Sequence, residues 1–194
     1  SVADGATTGT LTVPVTNDAL VEGTETVAAT ISAPSGTATI NITGATATAN
    51  ITDNDAANAV LSVTQQGDET GPVSIIYTVT LSQTNNTHSA ITFDVANSGG
   101  TATAGSDFTA FAAAAAISVA DGATTGTLTV PVTNDALLES TETVEATISA
   151  PSGTATINIT GATATANITD NDAANAVLSV TTQGNETGPV AIVY

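Results

Sequence analysis

The chain repeats itself. The segment Ser1-Val-Ala-Asp-Gly-Ala-Thr-Thr-Gly-Thr-Leu-Thr-Val-Pro-Val-Thr-Asn-Asp-Ala-Leu20 returns at Ser118 to Leu137, and the offset of 117 residues holds to the last residue, where Tyr194 matches Tyr77. Seven positions differ between 1–77 and 118–194, among them Val21/Leu138, Gly23/Ser140, Ala28/Glu145 and Asp68/Asn185. Near-identity over such a length marks recent tandem duplication. The period is too long for a solenoid coil and suits one independent domain per repeat. The chain divides into the C-terminal part of one repeat (1–55), a complete repeat (59–172) and the N-terminal part of a third (176–194). Its 194 residues fall 40 short of two periods. A sandwich missing that much would have open edges and half a core. We therefore expect a piece of a longer array, or partial repeats completed by neighbouring copies.

Within the complete repeat the apolar pattern has period two. Leu128, Val130 and Val132 share one face of Thr127–Thr133 and the threonines take the other. The same alternation marks 143–149, 90–96 and 154–160, with further strands expected at 60–64, 72–81 and 163–169. Turn signals fall between them at Gly67, Asn85-Asn86, Ser98-Gly-Gly100, Asp121-Gly122, Pro151-Ser-Gly153 and Gly161. Pro131 points outward, which implies an edge or a bulge. Ala112 to Ala116 is too short to nucleate a helix and reads as a loop or a small-residue strand. Seven or eight short strands in one repeat predict an all-β, two-sheet sandwich. The longest apolar run, Phe111 to Ile117, is too short to cross a bilayer, so no membrane insertion is expected in this segment.

Charge narrows the function. There is no Lys or Arg against 18 acidic residues, for a formal charge of −18, and there is no Cys. A chain without cations lacks the phosphate contacts that nucleic acid requires and the attraction that anionic lipid requires. Without Cys it has no disulfide and no thiolate site. Hydrophobic residues make up 41%, enough for a core, so this is not a disordered acidic tail. Of the 18 acidic residues, 14 lie in loop-like places; Asp4, Asp94, Asp121 and Glu145 are the exceptions. In the complete repeat these places are Gly67-Asp-Glu-Thr70, Ala104-Gly-Ser-Asp107, Asn134 to Glu142, and Asp170-Asn-Asp172. Hard oxygen ligands set among small residues are what Ca2+ uses, at six to eight oxygens per ion. The bland reading is a set of solvated turns that keep the protein soluble. Against it, carboxylates crowded into neighbouring loops repel one another unless a counter-ion neutralises them.

These loops resemble the Calx-beta domain. The carrying residues are Ala104-Gly-Ser-Asp-Phe108, then Asn134-Asp-Ala-Leu-Leu-Glu139 with Glu142, then Ala166-Asn-Ile-Thr-Asp-Asn-Asp172, in the family's order and across the whole repeat. The resemblance implies a seven-stranded immunoglobulin-like sandwich with calcium among the loops at one end, beside the following domain. Its implied ligands are Glu69, Asp107, Asp135, Glu139, Asp170 and Asp172, with Glu142 a weaker candidate. In the first copy they are Asp18, Glu22, Asp53 and Asp55, with Glu25 weaker. Asn134 and Asn171 stand where the family's most calcium-rich members carry acids. Fewer charges imply one or two ions per repeat rather than four.

From Asp172 to the next strand the expected linker is Ala173-Ala-Asn175, a reach of about 10 Å. Ions held by Asp170 and Asp172 would stiffen that junction. The expected function is a non-catalytic stalk whose partners are the neighbouring repeats, with an adhesive ligand at a tip outside this segment. Cys-poor, acidic Calx-beta arrays resemble the giant surface adhesins of Gram-negative bacteria, which implies an extracellular, cell-surface setting in biofilm or gliding. Other functional classes find less in the sequence. His88, in the turn Asn85-Asn-Thr-His-Ser89, is the one candidate catalytic base and reads as a surface residue. Thr-x-Thr steps such as Thr127-Leu-Thr129 would suit an ice- or sugar-binding face, but Thr is a common residue on exposed strands, and only 3% aromatics leave sugar stacking poorly supplied. A self-assembling filament or sheath would share the fold and ions and differ only in partners.

Overall fold

The computed structural model describes every residue except Thr37, 185–186 and 188–190. Among the described residues there is no helix. The strands are, in chain order, β1 (Val21–Glu22), β2 (Glu25–Thr30), β3 (Thr46–Ile51), β4 (Ala56–Gln65), β5 (Gly67–Asp68), β6 (Ile75–Leu81), β7 (Asn85–Asn86), β8 (Ile91–Gly100), β9 (Ala116–Val119), β10 (Thr125–Val130), β11 (Glu142–Ser149), β12 (Thr156–Gly161) and β13 (Thr163–Thr169). The complete repeat is a sandwich of two sheets, ordered β10-β6-β4-β12 and β5-β13-β11-β8-β9.

Alternation builds each layer. Ile75, Tyr77, Val79 and Leu81 point inward from β6, Ile91, Phe93 and Val95 from β8, and Val144, Ala146 and Ile148 from β11. Together they form one buried cluster spanning both sheets. The Tyr77 hydroxyl crosses the layer and donates to the Val144 carbonyl at 2.7 Å. Burial pushes the Tyr77 phenol up to about 12. Phe111 packs edge-on against both Tyr77 and Phe108, the aromatic part of a mainly aliphatic core.

Several expected turns are strand. β4 begins at Ala56, because Ala57 and Ala59 continue the inward phase of Leu61. Ala56-Ala57-Asn58, the counterpart of the expected linker Ala173-Ala-Asn175, is thus strand, paired in parallel with Thr156–Asn158. Ser98-Gly-Gly100 is the end of β8, where the register against β11 shifts. Gly100 has φ 119°, and a Cβ there would lie 2.1 Å from the Thr143 carbonyl oxygen, so only glycine fits. Gly67 opens β5, and Asn85-Asn86 is β7, paired in parallel with β1 of the preceding copy. At 112–116 the chain makes a turn closed by the Ala115 N–H on the Ala112 carbonyl, and β9 starts at Ala116. Pro131 lies just past β10, an edge strand of its sheet.

The partial copies are thinner. Residues 1–55 hold β1 and the β2–β3 hairpin, whose register (Glu25 opposite Ile51, Thr30 opposite Thr46) repeats that of β11 and β13. Residues 173–194 carry no strand among those described; the bridge between Thr182 and Val193 repeats the Gln65–Ile76 pairing of β4 and β6.

Candidate metal centre

One end of the complete repeat gathers its acids, and three pieces of local chemistry bring them there. First, β5 runs parallel to the end of β13, Gly67 opposite Ile168 and Asp68 opposite Thr169. Gly67 makes this approach possible, since a Cβ there would lie 2.8 Å from Val132 Cγ2. The Glu69 N–H then donates to the Thr169 carbonyl at 3.0 Å, which sets Glu69 beside Asp170. Second, Asp170 ties the two acidic loops together. Its Oδ2 accepts the Glu139 N–H at 2.8 Å and its Oδ1 accepts the Asp172 N–H at 2.9 Å. These backbone donors hold the Asp170 carboxyl below its usual range, so it stays ionised. Third, Asp107 is buried in a tight turn, accepting the Thr103 N–H on its side chain and the Thr133 N–H, at 2.8 Å, on its carbonyl.

Two triads result. Glu69, Asp170 and Asp172 each bring a carboxylate oxygen within 4.8 Å of the other two, and Asp107, Glu139 and Glu142 do the same. Glu69 is only 2% exposed. Its Oε2 and Asp172 Oδ2 are buried with no hydrogen-bond partner in the structure. An unpartnered buried carboxylate oxygen is costly, and a cation removes that cost. Burial pushes the Glu69 carboxyl up, with Asp170, Asp135, Glu139 and Asp172 adding to it. Glu139 is raised by burial and then by Asp107 and its other acidic neighbours. Glu142 is pushed up to about 7 by burial, by its hydrogen bond with Asp107, and by the charges of Asp107, Glu139 and Glu69. Carboxylates alone, brought together from neighbouring segments, form a donor set for a hard divalent cation, bound in competition with protons.

The structure sorts the expected residues. Glu69, Asp107, Glu139, Asp170 and Asp172 fall in the triads, and Glu142, expected as the weaker candidate, completes one of them. Asp135 lies in neither triad. Its Oδ1 accepts the Leu137 N–H at 2.7 Å, and it acts on Glu69 and Glu139 through its charge. The asparagines at acid positions have a local role: Asn171 Nδ2 donates to Asn134 Oδ1 at 2.6 Å and so links the same two loops. Sequence spacing carried no sign of that pair.

The first copy repeats the local chemistry without the triads. Asp53 Oδ2 accepts the Glu22 N–H at 2.9 Å, its Oδ1 accepts the Asp55 N–H at 3.0 Å, and Asp18 Oδ1 accepts the Leu20 N–H at 2.9 Å. Asp18, Glu22, Glu25, Asp53 and Asp55 line one cleft. Burial, followed by Asp18, Glu25 and Asp53, raises the Glu22 carboxyl. No residue stands here for Glu69 or Asp107, and no triad forms among the described residues. In the third copy the counterpart of Glu69 is Glu186, which lies outside the described residues.

His88 is exposed at this first seam, its Nε2 3.8 Å from Glu25 Oε1 and its backbone N–H on Asp121 Oδ1 at 3.0 Å.

Comparison with known proteins follows the same lines. Comparison with curated proteins gives no match. Among solved structures, the apo form of the Calx CBD1 domain is 19% identical, with a TM-score of 0.45, over 60% of this chain and 98% of that one. CBD12 from CALX1.2 and the calcium binding domain CBD12 of CALX1.1 are each 18% identical, with a TM-score of 0.44, over 57% of this chain. The matched part spans 44% of each of those two chains. The sequence profile of the Calx-beta domain matches residues 2–55 and 61–172, most of the chain on both sides of the seam. The chain therefore belongs to the Calx-beta domain family.

Proposed function

We propose that this chain is a non-catalytic stalk segment of a repetitive cell-surface adhesin, in which Ca2+ bound by the two carboxylate triads stiffens the junctions between successive repeats. The observation that carries the reading is the pair of buried, unpartnered oxygens, Glu69 Oε2 and Asp172 Oδ2, within an all-carboxylate cluster. One solved neighbour, the calcium binding domain CBD12 of CALX1.1, accords with Ca2+ as the ion. Two triads agree with one or two ions per repeat.

The position of the acids supplies the mechanism. Asp170 and Asp172 close the last strand of the repeat, and their counterparts Asp53 and Asp55 run directly into β4 of the next. An ion held by Glu69, Asp170 and Asp172 would pin the Asp170–Asp172 turn against Glu69 and so fix the direction in which the chain leaves the domain. Without it, mutual repulsion would loosen both loops. A rigid rod carries an adhesive tip away from a bacterial surface; a loose one collapses and is cleaved.

The test is unfolding of the chain with Ca2+ and with chelator. At free Ca2+ about 100 times Kd, binding to the native state alone adds about 2.7 kcal/mol, a rise in Tm of roughly 10 °C for one repeat. Solution scattering should also give a longer particle with Ca2+. An unchanged Tm and an unchanged length would end the proposal.

A further inference from the structure

Two equivalent aliphatic side chains lie in opposite surroundings. Val21 is 1% exposed, whereas Leu138, at the same place in the complete repeat, is 62% exposed. Val21 lies at the seam with the following repeat. As β1, Val21 and Glu22 pair in parallel with Asn85 and Asn86. Beside that bridge the Thr24 N–H donates to Thr154 Oγ1 at 3.1 Å, and Glu25 meets His88.

The receiving edge is held in place by its own repeat. Asn85 is fully buried. Its Nδ2 donates to the carbonyls of Ser89 at 2.8 Å and Val119 at 3.0 Å, while its Oδ1 accepts the Thr87 N–H at 3.0 Å and the Thr87 hydroxyl at 2.7 Å. The Asn85 N–H donates to the Ala123 carbonyl, and the Asn85 carbonyl accepts the Gly122 N–H. An extended edge fixed from within its own domain is pre-organised to accept another strand.

We propose that Leu138 is the plug of a second junction of the same kind: Leu138 and Glu139 add as a short parallel strand to the Asn85–Asn86 edge of a following copy of this repeat, and Leu138 becomes buried. The inference rests on the tandem array in the reading above and not on its calcium. The occupant is another copy because the same edge already pairs with Val21 and Glu22 of the preceding copy. The sequence differences at the seam are compatible with it. Val21/Leu138 keeps an aliphatic plug. A Cβ at Gly23 would sit 3.4 Å from Thr154 Oγ1, an ordinary contact, so the matching Ser140 fits. The neighbouring leucine is a built-in control. Leu137 is 60% exposed, and its counterpart Leu20 remains 45% exposed with the next repeat docked, so only one of the two leucines should be covered.

The experiment uses this chain extended after Asp172 by a further copy of residues 56–172, as wild type, V21D, L138D and L137D. Limited proteolysis in L138D should cut at 171–175 about tenfold faster than in wild type, and V21D should do the same at 54–58, because a carboxylate replaces a buried aliphatic group. L137D should cut at the wild-type rate. Leu138 is exposed within its own repeat, so L138D should leave the unfolding transition of the unextended chain unchanged, which separates undocking from misfolding. Equal cutting of L138D and wild type, or of L138D and L137D, would overturn the plug. Each digest is run in Ca2+ and in chelator. Failure of the calcium reading would erase the difference between those two conditions while the L138D-to-L137D contrast remains.

Discussion

Residues 1–55 and 118–172 differ at three positions, yet they form different structures. Both form the long hairpin in one register, and both close the same turns on Asp18 or Asp135 and on Asp53 or Asp170. Among the described residues the buried cluster lies in the second copy. Ile148 is 2% exposed and Ile31 is 63% exposed; Val130 is buried in a sheet where Val13 lies in no strand. The hairpin and the turns need only nearby residues. Burial needs β4, β6 and β8 to lie opposite, and residues 1–55 have no counterpart of those strands. An identical apolar pattern is therefore a capacity for burial, realised only where a second layer is present.

The largest test of this comparison is a matched pair of truncations. I148A should cost about 3 kcal/mol by opening a cavity, whereas I31A should change stability by less than about 0.5 kcal/mol; urea unfolding of each variant measures both. Equal losses would mean that residues 1–55 bury a core after all. Next is the ion. D170N removes a charge from a triad and weakens the acceptor that ties the two acidic loops, so Ca2+ should no longer raise the Tm of the main transition. D53N should leave that rise intact, since its copy has no triad.

The smallest effect is with pH in chelator. The folded Glu142 carboxyl titrates at about 7 against an ordinary value of 4.5, so the folded state binds the extra proton. Stability should thus be greatest below about pH 4.5, fall as pH rises to 7, and level off above it. Saturating Ca2+ should reverse the slope, because protons then displace the ion. E142Q should flatten the chelator profile, as followed by thermal unfolding at several pH values; a profile as steep as wild type would assign the slope to other groups.

Much of the architecture was legible in the residues. Period-two alternation located the long strands. Asp107, Glu139, Asp170 and Asp172 were expected from the acidic loops that hold them and from the Calx-beta resemblance, and the structure brings them into the two triads. Other features were hidden for physical reasons. Gly67 reads as a turn, but its missing side chain lets β5 approach β13 and carries Glu69 into the cluster. Asn85 also reads as a turn, whereas its amide is the buried hub of a loop. Glu142 was the weaker candidate; what draws it into a triad is Asp107, which is far away in sequence.

By itself the sequence determined the period, the hairpin register, the local Asp turns and the excess of negative charge, because each depends on neighbours along the chain or on composition. Tertiary structure alone decided which carboxylates meet, and that Val21 is covered at the seam. Those outcomes depend on strands and loops distant in sequence, which no local pattern records.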